Sequence, residues 1–205
     1  DNNAEIKAAT DRNEKVNIAC KNWYDVRAFG QVFAFKGKKG EEGGDSVSVG
    51  VRGPVSIQGA VSVAPVDILS QQITKSVNLE ADKTDPDKKA PDTMGMKHRV
   101  EHGIYTTCGS INCQLAEKTG FNDDDAELFL RSLKTMFVND ESSARPSGSM
   151  EVLKVIWWKH NCKSGQYSSA KVHRSLKVDI SEDVLSPRIA VEPLPNLKFE
   201  IFDGE

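Results

Sequence analysis

Between residues 46 and 64 the chain alternates with a period of two. Val47, Val49, Val51, Val55, Ile57, Val61 and Val63 hold odd positions, while Ser46, Ser48, Arg52, Ser56, Gln58 and Ser62 hold even ones. Successive side chains of an extended strand point to opposite faces, whereas a helix repeats every ~3.6 residues. The stretch therefore reads as strand, with one apolar face and one polar face of small donors and an arginine. A sheet covered on one side follows from it. Arg52-Gly53-Pro54 interrupts the pattern, because proline has no N–H to give a ladder. Two strand pieces are expected, with a break or edge at Pro54.

The rest of the chain builds around that sheet. Val16, Ala19, Cys20 and Trp23 recur at helical spacing and predict an opening helix. The residues from Val26 to Phe35 read as strand, with Arg27, Phe29, Gln31, Phe33 and Phe35 on one parity. Glycines among charges predict a mobile hairpin loop over 36–45, and prolines among charges predict a second loop over 81–92. A strand is expected from about 104 to 116, its inward parity switching at a bulge near Gly109. Phe121 as staple, Asn122 as N-cap and Asp123 to Asp125 at the positive helix start introduce the clearest helix. Its apolar stripe is Ala126, Phe129, Leu130, Leu133, Met136 and Phe137. A loop with Pro146 and Gly148 leads to a third strand, Val152 to Lys159, and the tail is irregular until a short strand over 197–202. Helix, strands, helix and strand in this order predict an α+β fold: an antiparallel sheet with helices on one side. The strand–helix–strand over 104–159 matches the second half of a ferredoxin-like split βαβ unit.

Several chemistries are excluded or disfavoured. The 205 residues are 38% hydrophobic with a net charge of −3, a globular balance. No apolar run approaches the ~18 residues of a membrane helix, and neither a leader nor an initiator Met is seen at Asp1. The cysteines at 20, 108, 113 and 162 read as reduced, mostly buried thiols of a cytosolic protein; C-x4-C with no second half supports neither zinc nor a local disulfide. His98 and His102 have the i, i+4 spacing of zinc enzymes, but of the intervening Arg99, Val100 and Glu101 none puts a glutamate at the general-base position, and β-like residues follow at once. No nucleophile elbow and no phosphate-cradling loop occur. The carboxylates Asp123, Asp124 and Asp125 diverge and are accounted for by the helix dipole and solvation. No metal and no cofactor are expected.

Local charge points to nucleic acid. From 152 to 178 lie Lys154, Lys159, Lys163, Lys171, Arg174 and Lys177 without an acid, and from 179 onward acids dominate. A basic stripe beside an acidic tail predicts a one-sided field despite the net charge. Phe29, Tyr105, Trp157, Trp158 and Tyr167 are candidates to stack on bases, although parity sends the two tryptophans to opposite faces.

Six segments occur in order: Asp25-Val-Arg-Ala-Phe-Gly30, Arg52-Gly-Pro-Val-Ser-Ile-Gln58, Gln72-Ile-Thr-Lys75, Thr93-Met-Gly-Met-Lys-His98, Leu115-Ala-Glu-Lys-Thr-Gly120 and Ser143-Ala-Arg145. Together they resemble the backbone subunit of the type I-C CRISPR surveillance complex, Cascade, the seventh family of CRISPR-associated proteins. The resemblance covers roughly residues 15 to 178. It implies a single RRM-like palm over 1–205, with inserted finger and thumb loops at about 36–46 and 80–98 and an irregular tail at about 179–205. It also implies a first strand with an Asn-Gly-Asn-Pro-type segment, none of which is present here, so the palm is expected to lack a member. Several copies would polymerise along one CRISPR RNA in the cytoplasm, beside other Cascade subunits, and leave the bases free to pair with target DNA. The subunit would be structural rather than catalytic.

The implied RNA contacts are Arg27, Arg52, Ser56, Gln58, Gln72, Thr74, Lys75, Met94, Lys97 and His98. Arg52, Ser56 and Gln58 suit phosphate and 2′-OH contacts that ignore sequence. Gly53 permits close backbone approach. Lys97 offers a point charge, His98 a hydrogen bond, and Met94 or Met96 an apolar wedge between bases. An alternative is an RNA endonuclease of the RRM-like CRISPR class, with His98 as general acid and Lys97 as electrostatic stabiliser. A third is a metal-binding module through His98 and His102.

Overall fold

The computed structural model describes residues 5–6, 9, 11–35, 47–74, 87, 94–181 and 186–205. The hairpin loop expected over 36–45 lies outside them, as do Lys75 and all of the 81–92 loop except Asp87. The chain divides into two compact units. The first takes Asp1–Gln58, Cys108–Asp179 and Arg188–Glu205, and the second takes Gly59–Thr107 and Ile180–Pro187.

In the first unit Asp11 opens helix α1 (Arg12–Asn22), its carboxylate accepting from the backbone N–H groups of Asn13 and Glu14 at 3.0 and 3.2 Å. Trp23 turns to extended backbone, and a second helix, α2 (Tyr24–Phe29), takes the first four residues of the expected strand, whose remainder is strand. The reason lies in the packing. Val26 is buried in one core cluster with Ile6, Ala19 and Cys20, whereas Ala28 is buried in another with Val55, Phe121 and Phe129. A helix between two cores buries residues on both sides, and over six residues that mimics strand alternation.

Strand β1 (Gly30–Phe35) then pairs antiparallel with β2 (Val47–Arg52), Gly30 opposite Arg52 and Phe33 opposite Val49. Phe33 and Val51 close over the first core. The break at Gly53-Pro54 is present, and β3 (Val55–Ile57) follows it. Pro54 contributes its carbonyl, which accepts from the N–H of Asn112 at 2.9 Å. The apolar parity is covered only in part: Val55 is buried, but Ile57 and, in the second unit, Val61 are exposed.

The second unit is built of hairpin ladders. Strand β4 (Val61–Ser62) pairs with β7 (Tyr105–Thr106), and β5 (Ile68–Thr74) pairs with β6 (Met94–Val100). No described residue of this unit is buried.

Back in the first unit, β8 (Gly109–Ile111) pairs with β3, and then the expected strand gives way to helix α3 (Cys113–Thr119). The Asn112 side chain accepts from Leu115 N–H at 3.1 Å, and Gly120 at φ 78° ends the helix in the left-handed region. Helix α4 (Asp123–Lys134) starts as expected: Asn122 and Asp125 form a capping box, Phe121 and Phe129 are buried, and Ala126 and Leu133 pack beside them; it ends at Lys134, so the end of the expected stripe, with exposed Met136, lies beyond it. Strand β9 (Lys154–Lys159) follows, and its Trp157 lies 6.3 Å from the Phe129 ring in the same core. The tail is more regular than expected. Helix α5 (Ser169–His173) leads to β10 (Leu176–Asp179), which pairs with β11 (Arg188–Val191), and β12 (Lys198–Asp203) pairs with β9 along its length. The fold class is α+β, with few helices and small antiparallel sheets. The described ladders are each two-stranded.

Candidate nucleic-acid interface

In the first unit the expected contacts gather where β2 breaks. Glycine is required on both sides of that break. A Cβ on Gly53 would stand 2.3 Å from the Ala28 carbonyl oxygen and 2.4 Å from the Phe29 carbonyl carbon. A Cβ on Gly30, which sits at φ 84°, would stand 2.2 Å from the Val51 carbonyl oxygen and 2.6 Å from the Gly53 nitrogen. The backbones of 28–30 and 51–53 therefore touch directly. Arg52, between those contacts, is exposed and has no side-chain partner among the described residues. Beyond the break, Ser56 faces Ser110 across the ladder with hydroxyl oxygens 3.1 Å apart, both exposed. Gln58, an exposed residue, donates its backbone N–H to the Cys108 carbonyl at 2.8 Å.

Arg27 is placed differently from these. Its guanidinium is turned into the fold: Nε and Nη2 donate to the two carboxylate oxygens of Asp125 at 2.8 and 2.7 Å, and Nη1 donates to the Cys20 carbonyl at 2.7 Å. The side chains of Arg27 and Asp125 are 20% and 9% exposed. Asp125 also accepts the backbone N–H of Asn122 at 3.2 Å, and its own carbonyl accepts from the Tyr24 hydroxyl at 3.2 Å. The Arg27 hydrogen bonds hold the Asp125 carboxyl below its ordinary range against the opposing effect of burial. The same bonds push the Arg27 guanidinium up. Asp125 is thus an internal counter-ion as well as a helix opener, which its neighbours in sequence do not reveal.

In the second unit the β5–β6 ribbon brings most of the remaining candidates together. Its register pairs Ser70 with His98, Gln72 with Met96 and Thr74 with Met94, so these share one face with Ile68 and Val100. Lys97 pairs with Gln71 and Arg99 with Leu69, and these lie on the opposite face. Ser70 Oγ and His98 Nδ1 are 2.8 Å apart, and Gln72 Nε2 donates to Met94 Sδ at 2.9 Å. Met94 is 66% exposed and Met96 55%. One face therefore offers apolar wedges framed by hydrogen-bonding groups, and the other offers cations. The register sets Met96 on the face of Met94 and Arg99 on the face of Lys97.

The sequence profile of the family described as CRISPR-associated protein Cas7 matches residues 1–192. The chain belongs to the Cas7 family. No curated protein matches it. Membership makes it a CRISPR-associated, RNA-binding backbone protein that associates with CRISPR RNA and other Cas proteins. The α+β architecture accords with the RRM-like palm of that family.

Other expected surfaces of this Cas7-family chain are rearranged by its fold. Half of the basic stripe is paired with acids: Lys154 meets Asp203 across the β9–β12 ladder, Lys163 meets Glu117, and Lys177 lies 3.6 Å from Glu192. Lys171 sits 4.5 Å over the Tyr167 ring. Acids of the tail thus meet two of the six stripe cations, Lys154 and Lys177, and Glu117 of α3 meets a third. Among the stacking candidates, Tyr167 is tied by its hydroxyl to the Pro195 carbonyl at 2.9 Å, and Trp157 belongs to the core. Phe29 and Tyr105 are exposed. Cys20 is buried and Cys108 half-buried, but Cys113 and Cys162 are exposed, so burial does not account for all the thiols. Among the described residues no group of three or more His, Cys, Asp or Glu is placed to hold a metal ion. No helix among them is long and apolar enough to cross a membrane.

Proposed function

We propose that the chain is a non-catalytic backbone subunit of a type I-C Cascade complex. In the cytoplasm several copies line one CRISPR RNA, hold its sugar-phosphate backbone, and leave bases free to pair with target DNA. The observation that carries this reading is the exposed β5–β6 ribbon, with Met94, Met96, Gln72 and His98 on one face and Lys97 and Arg99 on the other. Polarizable thioethers fit the π-faces of unstacked bases whatever the base, and cations meet phosphates whatever the sequence. Arg52, Ser56 and Gln58 on the first unit add sequence-independent donors of the kind that bind phosphate and 2′-OH.

Purification of the full chain with its bound RNA tests the proposal. RNA of uniform length is expected, and single-stranded RNAs of unrelated sequence should bind with similar affinity that falls with salt. Lys97→Ala should weaken all of them equally. Loss of binding to one sequence alone would refute the reading. Cleavage of labelled repeat RNA that disappears in His98→Ala would replace it with the endonuclease reading.

A further inference from the structure

We infer that Arg27 and Asp125 act on RNA indirectly, as a positioning pair that fixes Arg52 at the break between β2 and β3. The inference rests on the reading that Arg52 meets the RNA backbone.

Arg27 is poorly disposed to reach a phosphate itself. Nε and both terminal nitrogens already donate inside the fold, at 2.7 to 2.8 Å. What it does hold is helix α2. Arg27 stands in the last turn of α2, and the next residues, Ala28 and Phe29, present their backbone to Gly53 without room for a single added carbon. Gly30 then pairs with Arg52 in the β1–β2 ladder. At the other end Asp125 is fixed by the capping box of α4, and α4 is anchored by buried Phe129. A continuous path of tight contacts therefore runs from Asp125 through Arg27 and the end of α2 to Gly53 and Arg52. Slack anywhere in it reaches Arg52, because the contacts between 28–30 and 51–53 are backbone against backbone and cannot be absorbed by a rotamer change.

Electrostatics alone makes the opposite prediction, which gives the test its sign. Asp125→Asn removes a negative charge and releases Arg27, so a simple field argument expects tighter RNA binding. Positioning expects weaker binding, because Arg52 is no longer held. The measurement is the anisotropy of a fluorescein-labelled, mixed-sequence single-stranded RNA titrated with the full chain over a range of salt, with thermal melting run on each variant. Arg52→Ala calibrates the contact: it should cost about tenfold in affinity and about 0.7 in the log–log salt slope. Asp125→Asn and Arg27→Met should each show a similar loss of affinity and slope, and neither should add to Arg52→Ala in the double variant. Unchanged or tighter binding by Asp125→Asn overturns the inference. So does a loss that adds fully to that of Arg52→Ala, or a lowered melting temperature with the affinity of the folded protein intact. If Arg52→Ala itself changes neither affinity nor slope, the reading beneath the inference fails instead.

Discussion

The Arg27–Asp125 pair makes a stability prediction whose size follows from its geometry. Arg27→Met keeps the aliphatic stem but leaves the Asp125 carboxylate, 9% exposed, with the Asn122 N–H as its remaining partner. Asp125→Asn keeps a carbonyl oxygen for that N–H but withdraws the charge that receives two Arg27 donors at 2.7 and 2.8 Å. Removing one member of a fully buried pair costs ~3–5 kcal/mol. The Arg27 side chain is 20% exposed, so water recovers part of that, and ~2–3 kcal/mol is expected for Arg27→Met. Asp125→Asn should cost somewhat less, and the double variant should fall short of the sum by ~1.5–2 kcal/mol.

Urea unfolding followed by tryptophan fluorescence measures this, because Trp23, Trp157 and Trp158 all belong to the first unit. The pH dependence supplies a second check. The folded Asp125 carboxyl titrates below its ordinary value, so its contribution is fully present above the ordinary carboxylate range and is lost as pH falls through the lower folded value. The coupling should therefore be complete near neutrality and shrink on acidification past the ordinary range. A coupling below ~0.5 kcal/mol at neutral pH would put the pair on the level of an exposed surface bridge and refute the reasoning. So would a coupling that does not change with acid.

Two further substitutions probe the same unit. Gly53→Ala places a carbon within 2.6 Å of the Ala28 carbonyl group, against backbone that cannot rotate away, and should cost ~1–3 kcal/mol in urea unfolding; a neutral result would show that α2 and β2 can separate freely. Phe129→Ala empties a site shared by Ala28, Val55, Phe121 and Trp157 and should cost ~3–5 kcal/mol; a loss under ~1 kcal/mol would mean that this cluster is not the core of the unit.

What the sequence disclosed, and what it hid, divides by distance along the chain. Helix α4 is legible because its cap, staple and stripe fall within the seventeen positions from Phe121 to Phe137, of which Phe121, Ala126, Phe129 and Leu133 enter the core while the helix stops at Lys134 and Met136 stays exposed. The break at Pro54 was legible because proline's missing N–H is a local fact. Helix α3 was missed although Asn112 and Gly120 bracket it as caps, since its short apolar set also fits a strand. Helix α2 was missed because two cores, one on each side, produced alternation without a strand. The ribbon candidates were found through family-like segments, but their sorting into two faces needed the register of β5 against β6. The partners of Arg27 and Lys154 were not legible at all: Asp125 lies 98 residues away and Asp203 lies 49 away. Nor can a composition count show which cations of the basic stripe meet acids, as Lys154, Lys163 and Lys177 do.

The ribbon also sets an expectation for dynamics. Its two strands pair from Ile68↔Val100 to Thr74↔Met94, yet no described residue of its unit is buried. A two-stranded ribbon without a core is marginal in water, and its ladder amides should exchange by local opening. Guide RNA seated against Met94, Met96 and His98 would be released on that opening, so binding must stabilise the closed ladder by mass action. At RNA concentrations about a hundredfold above Kd the gain is ~2.7 kcal/mol, which slows exchange ~100-fold. Hydrogen exchange of the 68–74 and 94–100 amides, with and without single-stranded RNA, reads this directly. Met96→Ser should reduce the slowing while leaving exchange in the RNA-free protein nearly unchanged, because that side chain is mostly exposed there. If saturating RNA left the ribbon amides exchanging at their RNA-free rates, the thioether face would not be touching the guide, and RNA affinity would have to come from elsewhere on the chain.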